Sequence, residues 1–161
     1  MTLPRAEPLE FEVGEYAGVA GRISEREAAG SGWVNLRPVI AEEDLPDPPG
    51  FFAIFGNSAH RVPTGTWVAG KRLPDGTAKR STVGLQHSTG PRVARRLAEL
   101  GLPLPEGWTV VQDHPRRGLV AKLPEGASSL VTVEWLVRAG TVVCAVPVTG
   151  RWSADVHPGR G

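Results

Sequence analysis

Glycine and proline punctuate this chain heavily: 20 Gly and 15 Pro fall among 161 residues. Glycine loosens helical backbone and proline breaks it, so long helices are disfavoured and short elements joined by turns are favoured. The length suits one domain and is enough to bury a sizeable core. With 40% hydrophobic and 22% charged residues, a wholly disordered chain and a coiled coil are both excluded. No apolar run nears the ~20 residues of a bilayer-crossing helix. The stretch from Met1 to Glu10 lacks the apolar centre of a secretory signal. Cys144 is the sole cysteine, which excludes intramolecular disulfides and thiolate metal clusters. The expectation is a soluble, cytoplasmic protein with no membrane partner.

The formal charge of +1 conceals an asymmetry. Residues 1–50 carry ten acids and four bases, a balance of −6, whereas residues 51–161 carry seven acids and fourteen bases, a balance of +7. Either the two parts contact each other, or the basic body meets an anionic partner, or the charges simply form a mixed solvated surface.

Read along the chain, residues 1–30 form a partly mobile N-terminal segment in which Phe11, Val13 and Tyr16 suggest a short strand. Gly21 to Gly30 within it reads as a short helix or polar linker. Residues 31–150 form a single α+β domain, and residues 151–161 a loose C-terminal tail. Trp33 to Ile40 alternates like a strand, with Pro38 pushing its end to a sheet edge. An acidic, proline-rich connector, Glu42 to Gly50, leads to the apolar run Phe51 to Phe55. Trp67–Ala69 and Ser81–Leu85 flank Pro74-Asp75-Gly76, a hairpin whose long tip carries Lys71, Arg72, Lys79 and Arg80. Such basic tips are generally just hydrated, with nucleic-acid binding the minority reading.

The clearest helix spans Pro91 to Leu100, capped by Ser88 or Thr89, stopped by Gly101, and buried through Val93, Leu97 and Leu100. Trp108–Gln112 and Leu119–Leu123 read as strands. Leu130–Ala139 fits a helix or a strand, and Thr141–Val148 reads as a buried strand, which also makes Cys144 buried and inert. The fold expected is α+β, a mainly antiparallel sheet of about six strands with two helices packed on it.

Two polar turns attract chemical interest. In the first, Gln86 to Pro91, a strand turns into the helix start, where unpaired backbone N–H groups suit an anion. Ser88, Thr89, Gly90 and Arg92 are its ligand-binding candidates and His87 its catalytic one. The second, Asp113-His114-Pro115-Arg116-Arg117-Gly118, sets a carboxylate, an imidazole and two guanidinium forks within five positions. It adds Asp113, Arg116 and Arg117 to the binding set and His114 to the catalytic one. The plainer account leaves Ser88 and Thr89 as caps and the second turn as an exposed hairpin loop. The functional account requires both turns to open on one end of the sheet. No metal ligands are expected, since His60 and His157 lie in loops and no H-x-x-x-H spacing occurs. Nucleic acid is not an expected partner, because neither a helix-turn-helix pair nor aromatics interleaved with bases are present.

The run His87 to Leu102 resembles one segment of the ADP-ribosyltransferases. His87 and Thr89 match that family's H-G-T, Ser88 stands where Gly is usual, and Leu97 with Gly101-Leu102 matches the helix end. The resemblance covers sixteen residues. It implies NAD as cofactor, with His87 on its ribose and Thr89 near the nicotinamide; Glu134 is the available downstream acid. Outside that reading no cofactor is evident. The function expected first is binding of a small anionic or phosphorylated ligand, nucleotide-like, at a His/Arg-rich pocket. The alternatives are an NAD-dependent enzyme of the resembling type and a protein-interaction or regulatory module with a protein partner.

Overall fold

A computed structural model of the chain describes residues 4–46 and 60–159. Seven strands are named in chain order: β1 (Glu7–Glu12), β2 (Trp33–Pro38), β3 (Thr64–Val68), β4 (Thr82–Gln86), β5 (Thr109–His114), β6 (Gly118–Lys122) and β7 (Arg151–His157). Three α-helices accompany them: α1 (Ala17–Ala29), α2 (Val93–Glu99) and α3 (Ser129–Val143). The strands form one sheet in the order β1-β7-β2-β3-β4-β6-β5, and every neighbouring pair is antiparallel. The expected α+β class and antiparallel sheet are present, with seven strands against about six and three helices against two.

Alternation decides which face is covered. Val34 and Leu36, Trp67, Val83 and Leu85, Leu119 and Ala121, and Trp152, Ala154 and Val156 all point to one side and are buried. The helices close that side. α1 brings Val19, Ala20 and Ile23, α2 brings Val93 and Leu97, and α3 brings a broad apolar face including Val133, Leu136 and Val143, all into one core. The other face is polar: the Thr66 hydroxyl donates to Asn35 Oδ1 at 2.9 Å, and the Trp33 ring stacks on His157 with centroids 4.6 Å apart.

Several expectations are corrected here. The stretch read as a loose tail is β7, seated between β1 and β2, because Trp152, Ala154 and Val156 bury a complete stripe. Residues 7–12 and 17–29 are a paired strand and a three-turn helix; Arg22 joins the two through an ion pair with Glu7 and also pairs with Glu25 on its own helix. The strand expected over Thr141–Val148 is instead the end of α3 and the segment after it: the helix runs to Val143, and Cys144 caps it half-buried. β2 is interior rather than marginal, and Pro38 merely ends it. Phe51 to Phe55 lies outside the described residues. Among the described residues no helix is long and apolar enough to cross a membrane.

A tight contact between the layers is at Gly140 of α3, where an added Cβ would stand 2.6 Å from Trp152 Cη2. Gly140→Ala is therefore expected to cost about 1–3 kcal/mol through overpacking. Gly18→Ala on α1 has nothing within 4 Å of the new methyl and should stabilise by about 0.5–1 kcal/mol through helix propensity. Thermal melts of the two variants beside the wild type check both signs.

Candidate functional site

β4 directs Val83, Leu85 and then His87 into the core, and His87 is left only 1% exposed. A polar ring at such a depth needs partners. Its Nδ1 accepts the Thr89 backbone N–H at 3.2 Å and lies 2.9 Å from the Thr89 hydroxyl. Arg96 of α2 donates from Nη2 to that same hydroxyl oxygen at 2.9 Å and to the Gly90 carbonyl at 3.4 Å. Because a backbone N–H donates to Nδ1, the neutral ring carries its proton on Nε2. That atom, like Arg96 Nε, is buried with no partner among the described residues. Burial pushes the His87 pKa below its ordinary 6.5; the Asp113 carboxylate opposes this, and the neighbouring Arg96 and His60 reinforce it.

The expected helix extends over Pro91–Leu100, but regular α-helix begins only at Val93. Arg92 takes the capping position in the left-handed region, at φ 58°, the one non-glycine residue with positive φ among the described residues. That conformation costs an L-residue about 1–2 kcal/mol. Ser88 and Thr89 do not cap the helix. Asp113 at the end of β5 does, accepting Val93 N–H at 3.2 Å on Oδ1 and Ala94 N–H at 3.1 Å on Oδ2. The two polar turns thus meet through one carboxylate. The anion favoured at a helix start is present, and it belongs to the chain itself.

The second turn satisfies its own polar groups. Half-buried His114 accepts the backbone N–H of Arg116 at 3.1 Å and of Arg117 at 3.2 Å on Nδ1. Gln112 closes the turn by donating to the Arg117 and Gly118 carbonyls. Gly118 has φ +85°, and a Cβ there would stand 2.6 Å from the Leu85 carbonyl oxygen, so this position requires glycine. The side chains of Arg92, Arg116 and Arg117 are left exposed and in no ion pair among the described residues. Of the residues that carry the family resemblance, His87 and Thr89 bond to each other at the core's edge. Glu134 is exposed on α3, 3.9 Å from Arg138.

A concavity lies at the opposite end of β4. It is a cavity of about 690 Å³ between the end of α1, the foot of the β3–β4 hairpin and the β6–α3 connection. Arg72, Lys79 and Arg80 form its hairpin wall, Glu27 and Ala28 to Gly30 its helix wall, and Glu125 its third side. Buried Ser81 ties two walls together: its Oγ accepts the Gly70 N–H at 3.1 Å and donates to Glu27 Oε1 at 3.5 Å. The hairpin is held by backbone pairing of Arg72 with Ala78 and by Lys79 N–H donating to the Lys71 carbonyl at 2.8 Å. Sequence reasoning found the basic tip but not Glu27, Ser81 or Glu125; the Ser81–Glu27 bond spans 54 positions and leaves no local signal. His60 lines a second hollow of about 630 Å³ with Arg37, Thr64 and Gln86. Among the described residues no group of three His, Cys, Asp or Glu side chains is placed to hold a metal ion. Compared with protein-family models, curated proteins and solved structures, the chain matches none.

Two expected outcomes follow from the His87–Asp113 corner. Asp113→Ala uncaps α2 and should lower stability by about 1–2 kcal/mol, read as the shift in urea midpoint, with Asp113→Asn intermediate. The unfolded His87 ring takes its proton near pH 6.5 and the folded ring only at lower pH. Stability from this residue is therefore whole above about pH 6.5 and declines as the pH falls from there towards the folded pKa. Urea midpoints at pH 7.5 and 5.5 should show a steeper acid loss for the wild type than for His87→Gln.

Proposed function

We propose that this chain is a binding module for a small anionic ligand, with a phosphate as the preferred group, held in the cavity beside the β3–β4 hairpin. The observation that carries this reading is the set of three cationic side chains, Arg72, Lys79 and Arg80, on one wall of a concave site. None of them is in an ion pair among the described residues. A volume of about 690 Å³ falls within the range of small-molecule sites. Guanidinium forks suit phosphate and carboxylate oxygens, and an ordered backbone ladder fixes the side chains' starting points. The helix start suits a ligand less well, because Asp113 already holds its N–H groups. The exposed guanidiniums of Arg92, Arg116 and Arg117 add to the positive field of the body, which steers anions towards it.

Calorimetric titration with inorganic phosphate, pyrophosphate and ATP at low ionic strength tests the reading. At least one should bind, more weakly as salt rises, and Lys79→Ala/Arg80→Ala should lose about tenfold or more in affinity, equivalent to ~1.4 kcal/mol. Arg116→Ala/Arg117→Ala, which lowers only the long-range field, should lose no more than about twofold. No heat with any of the three, or a loss confined to the Arg116/Arg117 variant, overturns the placement in this cavity.

A further inference from the structure

Resting on the reading just given, we infer that the ligand is a small soluble zwitterion, a phosphorylated amine, that spans the cavity from its cationic to its anionic wall. The two walls have opposite character. Arg72, Lys79 and Arg80 line the cavity on the hairpin, whereas Glu27 and the carbonyl end of α1 line it from the helix, with Glu125 on the connection after β6. The helix end adds to the negative side, since the peptide dipoles of α1 leave roughly half an elementary charge of negative sign at its last turn. Gly30 adopts φ +65° and its N–H returns to the Glu27 carbonyl, which ends the helix at the cavity's edge.

Glu27 is also placed, not merely present. The Ser81 hydroxyl donates to its carboxylate at 3.5 Å while receiving the Gly70 N–H, so a buried group of the sheet holds it at the cavity wall. Nevertheless neither Glu27 nor Glu125 is in an ion pair with the hairpin cations among the described residues. The opposite charges line one space without closing on each other. A ligand bearing only negative charge would meet the guanidiniums and be repelled by the carboxylates. A ligand with an ammonium a few bonds from its phosphate meets both walls with the favourable sign.

The test compares phosphoethanolamine with ethyl phosphate, which has a similar anion and no ammonium, by titration calorimetry on the full chain at low salt. Phosphoethanolamine should bind about tenfold tighter or more, the factor expected of one added charge-assisted contact. Glu27→Gln, at an exposed position, should keep the wild-type circular dichroism spectrum and bring the two affinities to within about twofold. Equal binding of both compounds by the wild type overturns the zwitterion and leaves the anion site standing. Preference for phosphoethanolamine undiminished in both Glu27→Gln and Glu125→Gln overturns it as well. Binding of neither compound, with phosphate and pyrophosphate also silent, removes the anion site itself. Sedimentation with phosphatidylethanolamine vesicles without binding of free phosphoethanolamine overturns the soluble ligand in favour of a lipid headgroup.

Discussion

The fold depends on the contact between α3 and β7. Trp152 projects from the sheet into the covering layer, and α3 passes over it at the one residue with no side chain, Gly140. A further contact of the same kind fixes the next strand but one: Leu136 lies over Gly65 of β3, where a Cβ would meet its Cδ2 at 3.4 Å. Glycines under or within a helix layer allow large side chains opposite them to fill the interior at crystalline density. With α3 held at that distance, α1 packs beside it, and both cover β2. The remaining helix is tied in from elsewhere: the Trp135 indole donates to the Pro103 carbonyl at 3.0 Å, and its ring meets Trp108 edge-on at 5.3 Å. One indole on α3 therefore anchors the connection that follows α2.

Electrostatics in this molecule is mostly a matter of charges that have been used and charges that have not. Asp113 is used: its carboxylate holds two N–H groups at the start of α2 and lies near His87. The histidine is used too, as a neutral ring whose Nδ1 orders the Thr89 turn. Together with Arg96 they make a polar hub at the point where β4, α2 and β5 meet. A hub of this kind orients the backbone around it and defines the turn. Among the described residues the cations at the hairpin foot are in no ion pair, and the proposed binding site is placed there for that reason.

How much was legible beforehand follows from how local each signal is. α2 was legible because Gly101 and the Val93–Leu97 spacing lie within ten residues, and the β3–β4 hairpin because Pro74-Asp75-Gly76 announces its turn. The helical end of α3 was not, since Thr141-Val142-Val143 are β-branched residues that favour strands when read alone; burial of Gly140 and Val143 against the sheet overrides that preference. β7 carried the right alternation, but one of its three buried residues is alanine, a weak apolar marker in so short a stretch. The cap on α2 comes from a residue 20 positions on, and the helix wall of the cavity from one 54 positions before Ser81. Neither distance leaves a mark on nearby sequence. The basic residues of the hairpin could be read from the sequence, whereas the cavity they line required the packing.

The strand order has a consequence for synthesis. β1 and β2 precede the other described strands in the chain, yet they share no backbone pairing with each other, because the strand between them is β7, the last of the described strands in chain order. Until residues 151–157 arrive, the nascent chain has one unmated border on β2 and another on β1, each offering hydrogen-bonding groups to any extended neighbour. The sheet between β1 and β2 thus closes only when a strand more than a hundred residues further along the chain pairs with both.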